Sequence, residues 1–214
     1  MILIAVLCSV QAWAEVDPED EPAPVKGRKA NSETRREGKS VSLLAEPAGI
    51  GPSGYFSSGL TLGIFLGRND LINIEYTSGN NGTELWDYSN LKASALGVYY
   101  KHFLGSSFYI KSGLDYRMAK YEYRYTSLFG SSTSNNFSFE GNALALGFAL
   151  GNQWQFSGFT LGCDWIGFSY PLTTTFTNER LDSNDNASDV QNRENRVLKE
   201  LVAQAVRFYL GVSF

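Results

Sequence analysis

"AVRFYLGVSF", residues 205–214, closes the sequence and decides how the rest of it is read. Val206, Phe208, Leu210, Val212 and Phe214 fall on alternate positions, with Ala205, Arg207, Tyr209, Gly211 and Ser213 between them. A two-residue period belongs to a strand whose two faces meet different surroundings. One face here is wholly apolar; the other mixes small, polar and charged side chains. Several all-β architectures fit that pattern, so the remaining chain has to choose among them.

The same alternation recurs upstream. In "YFSSGLTLGIFLG" (55–67), Phe56, Ser58, Leu60, Leu62, Ile64 and Leu66 share a face. "GRND" (67–70) turns the chain into "LINIEYT", and "LKASALGVYYKHFL" (91–104) sets Leu96, Val98 and Tyr100 against Ala95, Gly97, Tyr99 and Lys101. "FYIKSGLDYRM", "NALALGFALGNQWQF" and "FTLGCDWIGFSY" continue the series, and "KSVSLLAE" (39–46) supplies an eighth strand at the front. Connections alternate in length. They are short at 67–70, 104–107 and 156–158, and longer at 47–54, 78–90, 126–137 and 172–200.

Ahead of the strands, "MILIAVLCSVQAWA" (1–14) reads as a signal peptide: an apolar run followed by Ala12 and Ala14 as the small residues of a cleavage site, though no Lys or Arg precedes the run. Residues 15–38, acidic and proline-rich and then basic, carry no apolar period and read as a disordered tail. With 1–14 removed, Cys163 is the only cysteine, so an intramolecular disulfide is impossible and a core or a closed sheet must hold the fold. The net charge of −4 gives no electrostatic case for nucleic acid.

An even strand count, short turns on one rim and long loops on the other describe an antiparallel up-and-down transmembrane β-barrel of eight strands. Each alternating run is close to the roughly 9–11 residues that carry a tilted strand through the hydrocarbon. A soluble cup of lipocalin type has the same alternation turned inside out. Three features favour the membrane. The mixed face carries Glu75, Lys101, Lys111, Asp115, Arg117, Asp164 and Arg207, a charge set suited to a narrow polar lumen. The apolar face lacks charge through the middle of the strands, where a lipid-facing Lys or Arg costs roughly 2–4 kcal/mol. Aromatics (Tyr76, Phe108, Trp154, Phe159, Phe214) sit near strand ends, where an interfacial girdle belongs.

On these strands, residues 39–214 resemble the small eight-stranded bacterial outer-membrane barrels of OmpA, OmpX and OmpW type. In that family a C-terminal aromatic preceded by alternating apolar residues is read by the barrel-assembly machinery. Val206, Phe208, Leu210, Val212 and Phe214 match the signal without a gap. The resemblance implies an outer-membrane location with the tail and short turns in the periplasm and the long loops outside, in contact with lipid and lipopolysaccharide.

Chemistry is sparse. The single histidine, His102, lies beside a short turn, and its two-residue neighbour is Leu104, so the His-x-Ser spacing of lipid-modifying barrels is missing. A girdle histidine is the better reading. Ordinary zinc sites need more N or S ligands than the chain holds. "DSNDNASD" (182–189) lacks the sixth-position Gly and closing Glu of an EF-hand loop and reads as a polar loop. No catalytic, metal or cofactor residue is expected. The inward charges are expected to pair as a structural plug rather than line a pore. In "MAKYEYRYTSLF" (118–129) the apolar phase changes, which predicts a bulge near Ala119 or the point where the strand leaves the bilayer. Trp86, Tyr88, Tyr121, Tyr123 and Tyr125 form a candidate contact surface for an external ligand, or pack as girdle and loop. "NRENRVLKELV" (192–202) has helix-like apolar spacing, although a strand fits it as well. The expected protein is a monomeric, non-enzymatic barrel acting in structure or surface contact through its long loops. The alternative is a channel or transporter for small, apolar molecules.

Overall fold

The computed structural model describes residues 31–214 apart from 51–55, 82–86, 126–135 and 181–197. A short helix, α1 (Ser32–Arg36), precedes eight strands: β1 (Val41–Ile50), β2 (Phe56–Phe65), β3 (Asp70–Asn81), β4 (Asp87–Phe103), β5 (Phe108–Tyr125), β6 (Asn136–Gln155), β7 (Phe159–Arg180) and β8 (Val202–Ser213). Every strand pairs antiparallel with its sequence neighbour, and β8 returns to β1, so the sheet closes on itself. Closure matters because it leaves no ladder edge through the wall.

The two-residue period fixes which way each side chain points. Leu60, Val98, Leu114, Leu146 and Phe208 stand outward at 59, 54, 47, 46 and 47% exposure, while their neighbours in the chain turn inward. The apolar side faces out and the charged side faces in, the inverse of a soluble cup.

The inward glycines are the small half of a large–small packing. A Cβ on Gly147 would lie 2.7 Å from the Tyr99 ring, and one on Gly113 would lie 2.6 Å from the Tyr99 Cα. Cβ atoms on Gly97 and Gly162 would likewise run into the rings of Tyr99 and Tyr209. The strand glycines thus make room for tyrosines that fill the interior.

Several boundaries move. Pro47–Ile50, expected in a connection, belong to β1, where the register slips between Glu46 and Gly49. A slip of this kind tolerates a proline that has no N–H to offer the ladder. Strands β4 to β7 run 17, 18, 20 and 22 residues, so parts of the expected loops at 78–90 and 172–200 are strand as far as Asn81, from Asp87, and as far as Arg180. Backbone pairing continues there after the apolar outer face has ended.

The bulge expected near Ala119 is absent. Ala119 pairs with Ala93 and Gly141 in unbroken register, and Tyr121 keeps the inward phase of Arg117. What changes from Arg117 to Ala119 and Tyr121 is the chemistry of the inner face, which turns apolar above the charged zone. The phase slips elsewhere. Trp165 and Val206 stand opposite each other on β7 and β8, and beyond them the inward set passes from Asp164 and Arg207 to Gly167 and Gln204. Val206 takes φ 48°, a left-handed conformation that a β-branched residue rarely adopts, to carry the slip.

The expected signal peptide and the tail up to residue 30 lie outside the described residues. Residues 31–38, read as disordered tail, are instead folded. Asn31 caps α1 by accepting the Thr34 N–H at 2.9 Å, and Arg36 is buried. The Arg36 guanidinium donates to the carbonyls of Arg68, Gly105 and Ser106 at 2.8, 2.9 and 2.7 Å and lies 3.8 Å over the Phe103 ring. Burial, the largest effect, brings its pKa down to about 10, with Glu33 opposing and Arg68 adding to the shift, so it remains charged at neutral pH. Lys39 reaches the carbonyls of Ser157 and Ser213, and Phe214 O accepts from the N–H groups of Ser40 and Val41. The segment thereby ties all three short turns and the C-terminal strand together.

Candidate functional site

The interior begins at the short-turn end with an apolar floor of Leu44, Leu71, Phe103, Tyr109 and Tyr209, directly above Arg36. Above it lie the charges. Glu75, Lys101, Lys111, Asp115, Arg117, Asp164 and Arg207 are each at most 4% exposed, and so is Glu46. Excluding Arg36, these are four acids (Glu46, Glu75, Asp115, Asp164) and four bases (Lys101, Lys111, Arg117, Arg207), so the group has no net charge.

Two clusters account for seven of them. Lys111 Nζ contacts Asp164 at 2.7 Å and Glu75 at 2.9 Å. Arg207 reaches Glu46 at 2.6 Å, Glu75 at 3.1 Å and Asp164 at 3.2 Å, bridging β8 to β1, β3 and β7. Higher up, Arg117 Nε donates to Asp115 Oδ1 at 2.9 Å, while Tyr99 and Ser169 hydroxyls donate to Asp115 Oδ2 at 3.2 and 2.7 Å. Arg117 also donates to Ser169. Lys101 is held differently. Its ammonium donates to Gln153 Oε1 at 3.0 Å and sits 4.2 Å over the Tyr109 ring. Tyr109 in turn hydrogen-bonds Asp164 and shares a 2.7 Å contact with the Tyr209 hydroxyl.

Desolvating eight charges is costly unless each finds partners. Convergence from β1, β3, β4, β5, β7 and β8, with Gln153 of β6 receiving Lys101, supplies them, and the barrel's closure supplies the geometry. Glu46 was not among the expected lumen charges, although its alternation with Ser42 and Leu44 put it on the inner face. Tyr99, Tyr109 and Tyr209 were equally readable as inward; their contacts with the charges depend on cross-barrel distances that no local pattern carries.

Above Arg117 the interior becomes apolar again. Leu91, Ala119, Tyr121, Phe139, Ala143 and Leu198 pack together with Phe176. Leu198 comes from the segment before β8 and is 1% exposed, so part of the last connection enters the long-loop mouth. The stretch 192–202, open to helix or strand, falls largely outside the described residues, and β8 begins at its last residue, Val202.

Tyr121, expected on a contact surface, is 7% exposed and stacks on Phe139 at 5.3 Å between centroids. Of the two readings, Tyr121 follows packing rather than a contact surface, because the inner face of β5 stays inward past the apolar belt. Trp86 lies outside the described residues, and for Tyr88, Tyr123 and Tyr125 only the backbone is described, within the β4–β5 ladder. His102 faces outward near the short turns, its Nδ1 2.8 Å from Asp70 Oδ1, with Tyr100 bonded to the same carboxylate. No group of three or more His, Cys, Asp or Glu side chains suited to a metal occurs among the described residues.

No protein-family model matches the chain, and no curated protein does. Among solved structures, it is similar to a major outer membrane protein from Thermus thermophilus (14% identity, 81% of this chain and 99% of that one, TM-score 0.49). It is also similar to Ail, the attachment invasion locus protein of Yersinia pestis (13%, 83% and 99%, 0.46), and to CarO of Acinetobacter baumannii (11%, 81% and 96%, 0.44). The fold assignment rests on the chain's own closed register. The chain is an eight-stranded barrel. Its apolar face is outward and its lumen is filled.

Proposed function

We propose that the barrel is an integral, non-enzymatic protein of the bacterial outer membrane that serves structure and surface contact. The observation that carries this reading is the inversion of the faces: an outward apolar belt around a buried, charge-neutral interior. Such a belt is stable against lipid and costly against water. On this reading the tail and short turns lie in the periplasm, the long loops lie outside, and Val206 to Phe214 form the assembly signal; all five alternate residues are at least 44% exposed.

The filled lumen favours a closed wall over a solute path. Arg36 on Phe103, the paired charges and the Leu198 cluster occupy successive levels of the interior. Surface contact is supported by the part of the sheet that outruns the belt. β7 pairs with β6 up to Arg180, whereas its register with β8 stops at Ser169. The test is conductance of the refolded barrel in a planar bilayer. Absence of channels supports the closed reading; steady channels from the wild type would move the protein to the transporter class.

A further inference from the structure

The short-turn mouth is built around a cation. Arg36 offers three different nitrogens to three backbone oxygens: Nε donates to Arg68 O at 2.8 Å, Nη2 to Gly105 O at 2.9 Å and Nη1 to Ser106 O at 2.7 Å. The Phe103 ring closes this cage on the lumen side, 3.8 Å from the guanidinium carbon. No carboxylate forms an ion pair with Arg36 among the described residues, and Glu33 of the same helix pairs with Arg68 instead, at 2.8 Å. Carbonyls and an aromatic face therefore set the selectivity, and both suit a cation. One acceptor for each nitrogen fits a planar fork, whereas an ammonium spreads its donors in a tetrahedron and cannot serve all three.

The cage is not local. Arg68 lies in the β2–β3 turn, and Gly105 and Ser106 lie in the β4–β5 turn, so two hairpins must stand side by side before it exists. Flanking contacts bring in the remaining strands. Arg35 Nη1 donates to Gln155 O at 3.3 Å, and Ser32 Oγ accepts the Gln155 N–H at 3.2 Å. Lys39 Nζ donates to Ser157 O at 3.1 Å and to Ser213 O at 2.8 Å. Two glycines shape the arrangement. Gly105 takes φ 144° in the turn that presents two of the carbonyls, and Gly38, at φ 84°, leads the chain from α1 back towards β1. A Cβ at Gly38 would meet nothing within 4 Å, so the link between α1 and the wall is unobstructed.

We propose that the short-turn mouth is a binding site for a planar guanidinium cation, complete only in the closed barrel, and that residues 31–39 are a latch carrying Arg36 into it as a tethered ligand. The latch docks after the strands have closed and opens without disturbing them. It holds the barrel shut by slowing its unfolding and leaves the rate of strand assembly unchanged. It acts on the barrel itself, whatever the long loops contact.

Chemical rescue tests the site. R36A keeps the Cβ, and ethylguanidinium replaces the missing atoms one for one. Folding and unfolding of the full chain in detergent micelles and urea are followed by tryptophan fluorescence. R36A should unfold on the order of tenfold faster than wild type, the scale of lost charge-assisted hydrogen bonds, and fold at the wild-type rate. Ethylguanidinium in the millimolar range of a tethered group should slow the unfolding of R36A and leave wild type unchanged. Ethylammonium should slow neither. No slowing by ethylguanidinium, or equal slowing by ethylammonium, overturns the guanidinium site. Slower folding of R36A overturns late docking. Should R36A not fold, amide exchange in the wild type decides. The N–H groups of Arg35 and Lys39, bonded to Asn31 O and Arg36 O, should exchange well before those of the strands. Exchange of all of them together overturns the latch.

Discussion

Arg207 and Glu46 join the last strand to the first from inside the barrel, through contacts of 2.6 and 3.0 Å between guanidinium and carboxylate. They do so beside an irregular and sparsely paired seam, where the β1–β8 register slips between Ala45 and Ala48 and again between Ala48 and Ile50. A buried side-chain bridge thus reinforces the seam where the backbone ladder is thinnest. Arg207→Met leaves Glu46 without its bidentate partner and strips one cation from Glu75 and Asp164. The expected loss is about 3–5 kcal/mol in urea unfolding from lipid or detergent, the usual cost of removing one member of a buried ion pair. Adding Glu46→Met should recover part of that loss and no more, since Glu75 and Asp164 still miss the guanidinium. A double-mutant cycle measures the coupling.

The glycines give a second contrast. A Cβ at Gly113 lies 2.6 Å from the Tyr99 Cα and clashes with the Val98 carbonyl oxygen, both backbone atoms that cannot step aside. Gly113→Ala should destabilise the barrel by about 1–3 kcal/mol, as overpacking does. A Cβ at Gly158, in the β6–β7 turn, meets nothing within 4 Å. Gly158→Ala should leave the unfolding midpoint unchanged or raise it slightly. Parallel midpoints for the two variants would contradict the large–small packing.

Arg36 gives a third prediction. Its three carbonyl acceptors belong to two different turns, and only a planar fork serves them together. Arg36→Ala should cost on the order of 2 kcal/mol, the scale of charge-assisted hydrogen bonds, and Arg36→Lys should recover little of it. Because the paired charges still occupy the lumen, neither variant should conduct in planar bilayers. Conductance from Arg36→Ala alone would mean that the short-turn mouth, rather than the charges, is the seal.

Leu198 gives a fourth. Truncating a side chain that is 1% exposed among Tyr121, Phe139 and Ala143 should cost about 2–5 kcal/mol if the cluster unfolds with the barrel. Leu198→Ala should also raise hydrogen exchange at Tyr121 and Phe139 more than at Leu114 and Leu146 in the belt. Uniform exchange along β5 and β6 would contradict a separate apolar cluster at the long-loop mouth.

Much of this was legible in the alternation. Eight strands, the outward leucines and seven of the eight central lumen charges follow from a two-residue period and the need to keep charge out of lipid. Legibility failed where the period carried no contrast. The slip at Trp165 and Val206 places apolar residues in sequence on both sides of the break, so the pattern reads through it unbroken. The phase change at 118–129 looked like a bulge because Tyr121 is aromatic and inward, whereas lower in the same strand inward meant charged. Arg36 sits in a basic, aperiodic run, and its burial depends on carbonyls of turns that are distant in the chain. The pairing of Arg207 with Glu46, Glu75 and Asp164 depends on barrel closure and is invisible to any local window.

The central claim is that the apolar face looks outward into lipid around a closed lumen. Electrophoresis of the outer-membrane fraction in SDS, with and without boiling, tests it most directly. The account predicts a band in that fraction that stays folded in cold SDS and changes its apparent mass on boiling. A protein found in the soluble fraction, with one mobility under both conditions, would contradict it.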